Sequence, residues 1–165
     1  MSKAKILIIE DSPTQRGLYK KILKNEDYLL IEAEDGEEGL RKTRSELPDV
    51  VLCDMGLPKI SGFELIKALK GKEETKYIPI ICLTATYADI ASKLKSLVEL
   101  GADDYFYEPI NAEELQAKVI VMLRIRGLYK DLQKKNKELE DFNEVAVGRE
   151  LKMKELEKEL AKYKK

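Results

Sequence analysis

Short apolar runs alternate with amphipathic segments along the chain as far as residue 123. Each run has the length of a strand, and several end at an acidic residue. Because a strand covered on both faces is apolar throughout, the runs indicate a parallel sheet with helices on either side. The predicted strands span residues 5–10, 28–33, 50–54, 78–84 and 104–107.

The segments that follow these strands carry signals for helix starts and stops. The first opens with Ser12-Pro13, a capping serine before a proline at the first helical position. The last opens at Asn111 with Glu114 three residues later, which is a capping-box pattern. The predicted helices span residues 13–25, 36–46, 62–70, 88–100 and 111–123.

Five strands that alternate with five helices predict an α/β fold, a doubly wound five-stranded parallel sheet with right-handed crossovers. We assign this fold to a domain of residues 1–123, followed by a long C-terminal α-helical extension, residues 124–165. In open parallel sheets, ligands bind beyond the carboxyl ends of the strands. The residues at those ends are therefore the candidates for function.

Residues 124–165 show the heptad pattern of a coiled coil and contain no proline. An amphipathic helix of this length exposes its apolar stripe unless a partner covers it, so we expect a homodimer through these residues. The alternative is a helix folded back on the first domain. The segment around Gly148 departs from the pattern. One seam position holds Ile125, Leu132, Leu139, Ala146, Met153 and Leu160, and the other holds Leu128, Lys135, Phe142, Arg149, Leu156 and Tyr163.

Acidic residues stand at the ends of two predicted strands. Glu10 and Asp11 end the first, and Asp54 ends the third. If these strands are neighbours, the three carboxylates converge and repel one another unless a cation lies among them. An all-oxygen cluster suits a hard cation, for which we expect Mg²⁺. The alternative is that the acids cap the following helices, but the helix after Asp54 begins only near Gly62.

The composition narrows the remaining classes of function. The chain has no histidine, and its two cysteines, Cys53 and Cys82, lie inside apolar runs without CxxC spacing. Histidine-based triads and most zinc sites are therefore excluded, and we expect buried free thiols in a reducing compartment. No apolar stretch approaches the roughly 18 residues of a membrane span. The mixed charges of the tail also argue against nucleic-acid binding. We expect a cytoplasmic protein that binds neither membrane nor nucleic acid.

Four motifs at the strand ends together resemble the receiver domain of bacterial and archaeal response regulators. The resemblance covers roughly residues 4–123, and the motifs occur in the family's order and spacing. It implies a flavodoxin-like fold and a signalling phosphoacceptor rather than an enzyme, with a histidine kinase or phosphotransfer protein as partner. The motifs are IIEDS, VVLCDMGLPKISG, CLTA and GADDYFYEPI.

The resemblance also implies a role for each matching residue of the acidic cluster. Asp54 matches the phosphoacceptor aspartate, and Glu10 and Asp11 match the acidic pair that holds Mg²⁺. The main-chain carbonyl of Gly56 matches a further metal ligand. A magnesium phosphatase on a related fold is disfavoured, because such enzymes usually carry a second acid where Gly56 stands.

Three further positions match the parts of a receiver that respond to phosphorylation. Thr84 matches the switch hydroxyl that turns toward the phosphoryl group, and the N–H of Ala85 can donate to the same group. Tyr105 matches the aromatic switch residue. The charge change on phosphorylation is expected to shift a two-state surface of helix and strand.

Glu108 departs from the family, which places a lysine at this position. A carboxylate here repels the phosphoryl oxygens that an ammonium would bind. Three interpretations stay open: Lys59 supplies the missing cation, or Glu108 points outward and Mg²⁺ alone offsets the charge, or the domain is a pseudo-receiver. A pseudo-receiver would serve dimerisation or partner binding without phosphorylation. The chain could be a stand-alone regulator or part of a longer hybrid kinase.

Overall fold

Residues 3–84 and 98–163 are described by the computed structural model. Five parallel strands form one sheet, and their order in it is β2-β1-β3-β4-β5. The predicted fold class is therefore confirmed, and the first and third strands are neighbours as the acidic cluster requires. The strands are β1 (Ala4–Ile9), β2 (Tyr28–Ala33), β3 (Val50–Asp54), β4 (Ile80–Thr84) and β5 (Asp104–Tyr107).

Four helices are described in full, and side-chain caps begin each of them. Ser12, Asp35 and Ser61 accept hydrogen bonds from the third residue beyond them, and Ser61 forms a capping box with Glu64. Asn111 caps the last helix, as predicted, by accepting the main-chain N–H of Glu114 at 2.9 Å. The helices are α1 (Pro13–Ile22), α2 (Gly36–Glu46), α3 (Gly62–Lys70) and α4 (Ala112–Tyr163).

Two of the predicted helices differ from the observed ones. Helix α1 ends at Ile22, and the N–H of Leu23 still donates to the Tyr19 carbonyl at 2.9 Å. The last predicted helix and the predicted tail form the single helix α4. Most of the predicted helix 88–100 lies outside the described residues. Residues 98–100 are described, and they are helical.

Apolar side chains pack on both faces of the sheet, because alternate residues of each strand point to opposite sides. One buried cluster contains Leu7, Val51 and Cys82 and is covered by α2 and α3. The other contains Ile8 and Leu52 and packs against α1 and the first turns of α4. Both cysteines are buried and free.

The chain divides into two compact units between Gly127 and Leu128. In the first unit, Ile125 packs against the second core cluster and Arg126 is buried. In the second unit, every described side chain from residue 128 onward is exposed. Among the residues that the structure describes, no helix is both long and apolar enough to cross a membrane.

Candidate functional site

The acidic cluster lies where β1 and β3 end side by side. Ile9 is in register with Cys53, so Glu10 and Asp54 are the next residues along two neighbouring parallel strands. Together with Asp11 they bring one carboxylate oxygen each to within 4.8 Å of the others. The structure thus brings together the three acids that the sequence singled out.

Burial makes the negative charge of Glu10 costly. Its side chain is only 4% exposed, and burial raises the pKa of the Glu10 carboxyl to about 7. The main-chain N–H of Ser12 donates to Glu10 Oε1 at 3.0 Å and partly opposes this rise. The neighbouring carboxylates of Asp54 and Asp11 raise the pKa further.

Asp54 lies in a similar electrostatic environment at the same edge. Burial is the largest cause of its raised pKa, and the charges of Asp11 and Glu108 add to it. The main-chain N–H groups of Gly56 and Met55 donate to the carboxylate and lower the pKa. These carboxylates lie so close together that they repel one another when they are ionised. The charge of a divalent cation bound among their oxygen atoms would relieve this repulsion. The donor set fits Mg²⁺ on these grounds.

Two glycines keep the main chain close to Asp54. A Cβ atom on Gly56 would lie 3.5 Å from Asp54 Oδ2, so the main chain of this residue lies beside the carboxylate. A Cβ atom on Gly62 would lie 2.7 Å from the carbonyl oxygen of Asp54, closer than side chains pack. Glycine at position 62 therefore lets α3 begin directly against the end of β3.

Lys59 follows Asp54 in the loop but binds acidic residues of α2 and its cap. Its Nζ lies 2.6 Å from Asp35 Oδ2 and 3.8 Å from Glu37 Oε2. Lys59 also adopts a positive φ of 66°. The ammonium that the sequence offered as a substitute for the missing lysine is thus engaged with Asp35.

Glu108 contacts helix α1 rather than projecting into solvent. Its Oε1 accepts hydrogen bonds from the Tyr19 hydroxyl at 2.8 Å and from Gln15 Nε2 at 3.1 Å. Burial and the bond to Glu108 both raise the pKa of the Tyr19 hydroxyl. The sequence drew attention to Glu108 but not to its two donors.

Arg16 is a third residue of α1 that the sequence did not single out. Its Nη1 donates to the main-chain carbonyl of Glu10 at 2.7 Å. Nε and Nη2 donate to Glu32 and Glu34 at 3.2 and 3.0 Å. An arginine near the start of the helix that directly follows an acidic pair is the sequence signal that could have identified it.

The predicted switch residues lie on the last two strands. Thr84 ends β4 in register with Tyr107 and is half-buried. Tyr105 is exposed, its ring centroid lies 5.2 Å from that of Tyr107, and Lys118 Nζ lies 5.8 Å from the Tyr105 centroid. Ala85 lies outside the described residues.

Similar proteins carry the same domain in several contexts. Alkaline phosphatase synthesis transcriptional regulatory protein PhoP of Bacillus subtilis is 38% identical over 120 residues, 73% of this chain and 48% of that protein. Hybrid signal transduction histidine kinase D of Dictyostelium discoideum is 32% identical over 145 residues, 86% of this chain and 9% of that protein. The chain spans about half, or much less, of the length of the curated relatives it matches.

A solved structure and a family model agree with these relatives. The receiver domain of sensor histidine kinase PA1611 from Pseudomonas aeruginosa has a magnesium ion coordinated in its active site cleft. It is 25% identical, with a TM-score of 0.66, and the match covers 76% of this chain and 99% of that one. The family model described as the response regulator receiver domain matches residues 6–120. With its five-stranded parallel sheet and its acidic cluster, this chain belongs to the response regulator receiver domain family.

Proposed function

We propose that this chain accepts a phosphoryl group on Asp54 in the presence of Mg²⁺, and that phosphorylation changes its dimerisation or its binding to a partner. The observation that supports this best is the convergence of Glu10, Asp11 and Asp54 within 4.8 Å at the carboxyl edge of the sheet. Asp54 is half-buried, so a donor can reach its carboxylate.

The proposed transfer forms one bond and breaks one. A carboxylate oxygen of Asp54 attacks phosphorus, and the bond from phosphorus to the donor's nitrogen or oxygen breaks. The electron pair of that bond leaves with the donor. Mg²⁺, when held by the three carboxylates and the Gly56 carbonyl, offsets the negative charge of the phosphoryl oxygens. The Thr84 hydroxyl and the Ala85 N–H are the proposed donors to the remaining oxygens.

Receiver domains are signalling modules that interact with histidine kinases in two-component systems. We propose a histidine kinase or phosphotransfer protein as the donor, and a cytoplasmic location for this chain. Thr84 and Tyr105 are the proposed switch residues. In the helical tail, apolar side chains at the seam positions are exposed, Leu132 and Leu139 among them, which supports a homodimeric coiled coil as the output.

The second candidate is a pseudo-receiver that dimerises or binds partners without phosphorylation. Two observations favour it: a carboxylate, Glu108, replaces the family's lysine, and Lys59 is bound to Asp35. Neither residue therefore supplies a positive charge to Asp54. This candidate predicts that Mg²⁺ and a phosphoryl donor leave the mass of the protein unchanged.

Intact-mass measurement after incubation with acetyl phosphate separates the two candidates. Phosphorylation adds about 80 Da, and we expect this gain with Mg²⁺ but not with EDTA. Asp54→Asn should abolish the gain, whereas the matched variant Asp141→Asn, on the exposed tail, should keep it. No gain in the wild type, with a gain in Glu108→Lys, would establish the pseudo-receiver instead.

A further inference from the structure

The side chain of Glu108 lies on the same face of the sheet as the acidic cluster. Phe106, two residues earlier, is buried in the core cluster that contains Tyr19. Glu108 lies one residue beyond β5, and its hydrogen bonds to α1 place its side chain on the same side of the sheet as Phe106. The residues two positions before Glu10 and Asp54 belong to this cluster as well. Glu108 therefore projects toward α1 on the side of the sheet where those two acids lie.

Two donors from α1 hold the Glu108 carboxylate. The Tyr19 hydroxyl and the Gln15 amide both donate to its Oε1, at 2.8 and 3.1 Å. The Tyr19 ring is completely buried, so packing determines where its hydroxyl lies. The main-chain N–H of Glu108 donates to the Thr84 carbonyl at 3.1 Å and fixes the point from which the side chain starts.

Both donors are neutral, so neither offsets a negative charge on the Glu108 carboxylate. That charge acts at Asp54, because Glu108 contributes to the raised pKa of the Asp54 carboxyl. A carboxylate that left α1 could turn toward Asp54, repel an incoming phosphoryl group and compete for the same cation. The hydrogen bonds to Tyr19 and Gln15 oppose this movement.

We infer that Tyr19 and Gln15 are positioning residues, which hold the Glu108 carboxylate on helix α1 and away from the phosphoryl-accepting oxygens of Asp54. The inference rests on the proposed phosphorylation of Asp54 and explains how that reaction proceeds with a carboxylate at position 108. Tyr19 and Gln15 act through Glu108, so their effect depends on its charge.

The test is a double-mutant cycle on the rate of mass gain with acetyl phosphate and Mg²⁺. Tyr19→Phe keeps the buried ring and removes only the hydroxyl, and it should slow phosphorylation about tenfold, as expected for losing a hydrogen bond to a charged group. In a Glu108→Gln background the same change should have little effect, because no charge is released. Gln15→Leu should show the same dependence and serves as the second variant if Tyr19→Phe does not fold.

Tyr28→Phe is the matched control, since Tyr28 packs against the same core cluster at the opposite end of the strands. It should leave the rate unchanged. Equal slowing by Tyr19→Phe in both backgrounds, or no slowing in either, overturns the inference while Asp54 remains a phosphoacceptor. A gain that appears only in Glu108→Gln also overturns it, because the held carboxylate would then block the site. No gain in any variant refutes the proposed phosphorylation and the inference with it.

Discussion

Arg16 donates a hydrogen bond to the main-chain carbonyl of Glu10 at 2.7 Å, and so joins α1 to the end of β1. The same guanidinium binds Glu32 and Glu34, which lie at the end of β2 and just beyond it. The planar fork of arginine can satisfy these three acceptors at once, which a lysine cannot do. Arg16 therefore fixes the main chain that presents the acidic cluster.

Arg16→Met should lower the free energy of unfolding by about 2 kcal/mol, mainly because the buried carbonyl of Glu10 loses its donor. Glu34 also loses its cation, whereas Glu32 keeps its ion pair with Lys20 at 2.6 Å. Urea denaturation measures the change. Arg41→Met is the matched control: Arg41 is exposed and lies 3.8 Å from Glu38, so its loss should cost less than about 0.5 kcal/mol. Equal losses in the two variants would contradict the anchoring role of Arg16.

Gly62→Ala should disturb the start of α3, since the new Cβ would lie 2.7 Å from the Asp54 carbonyl and 2.9 Å from Met55 Cα. We expect a loss of about 2 kcal/mol in unfolding free energy, together with slower phosphorylation, because the contacted main chain carries Asp54. Thermal unfolding and intact-mass kinetics measure the two effects.

Gly17→Ala provides the contrast within the same domain. Gly17 lies inside α1, and a Cβ atom there would have no neighbour within 4 Å. Alanine should therefore stabilise the protein by up to about 1 kcal/mol through helix propensity. If Gly62→Ala had as little effect on stability as Gly17→Ala, the claim that α3 begins directly against the end of β3 would be refuted.

The sequence predicted the acidic cluster because the information needed is local to each strand. Continuous apolar runs mark buried parallel strands, and Glu10 and Asp54 end two of them. Only the strand order was missing, and the order that places β1 beside β3 brings these residues together. The bounds of β2, β3, β5, α2 and α3 agree with prediction for the same reason.

The contacts of Tyr19 and Lys59 could not be predicted in this way, because each depends on a partner distant in the chain. Helical spacing places the apolar residues Leu18 and Ile22 on one face of α1, yet Leu18 is 44% exposed and Tyr19 is buried. A buried tyrosine hydroxyl needs an acceptor, and Glu108 lies 89 residues away. Lys59 donates a hydrogen bond to Asp35. The sequence shows that Lys59 lies in the loop after Asp54, but it does not show which acidic residue the lysine contacts.

The raised pKa of Glu10 predicts a pH dependence of stability in metal-free protein. Between about pH 4.5 and pH 7 the folded state keeps a proton that the unfolded state has lost. The contribution of Glu10 to stability is therefore complete below this window and declines as the pH rises through it, by about 3 kcal/mol in all. Mg²⁺ should restore stability above pH 7.

Urea denaturation of wild type and Glu10→Gln in EDTA, at several pH values, measures this effect. The glutamine variant cannot ionise at position 10, so its stability relative to wild type should rise across the window. Carboxylates whose pKa is lowered, such as Glu32 and Glu38, act in the opposite direction in both proteins and cancel in the difference. A difference that does not change with pH would exclude the proposed protonation of Glu10.

The exposed apolar side chains along the seam of the helical tail predict that the protein dimerises through apolar contacts. Leu132→Asp combined with Leu139→Asp should give a monomer, because both leucines are exposed and occupy one seam position. Gln133→Asp with Lys137→Gln changes the net charge equally at positions off the seam, and it should remain a dimer. Light scattering distinguishes these states. A dimer in the leucine variant would reject the coiled coil, and a monomer in both variants would attribute association to charge rather than to the apolar seam.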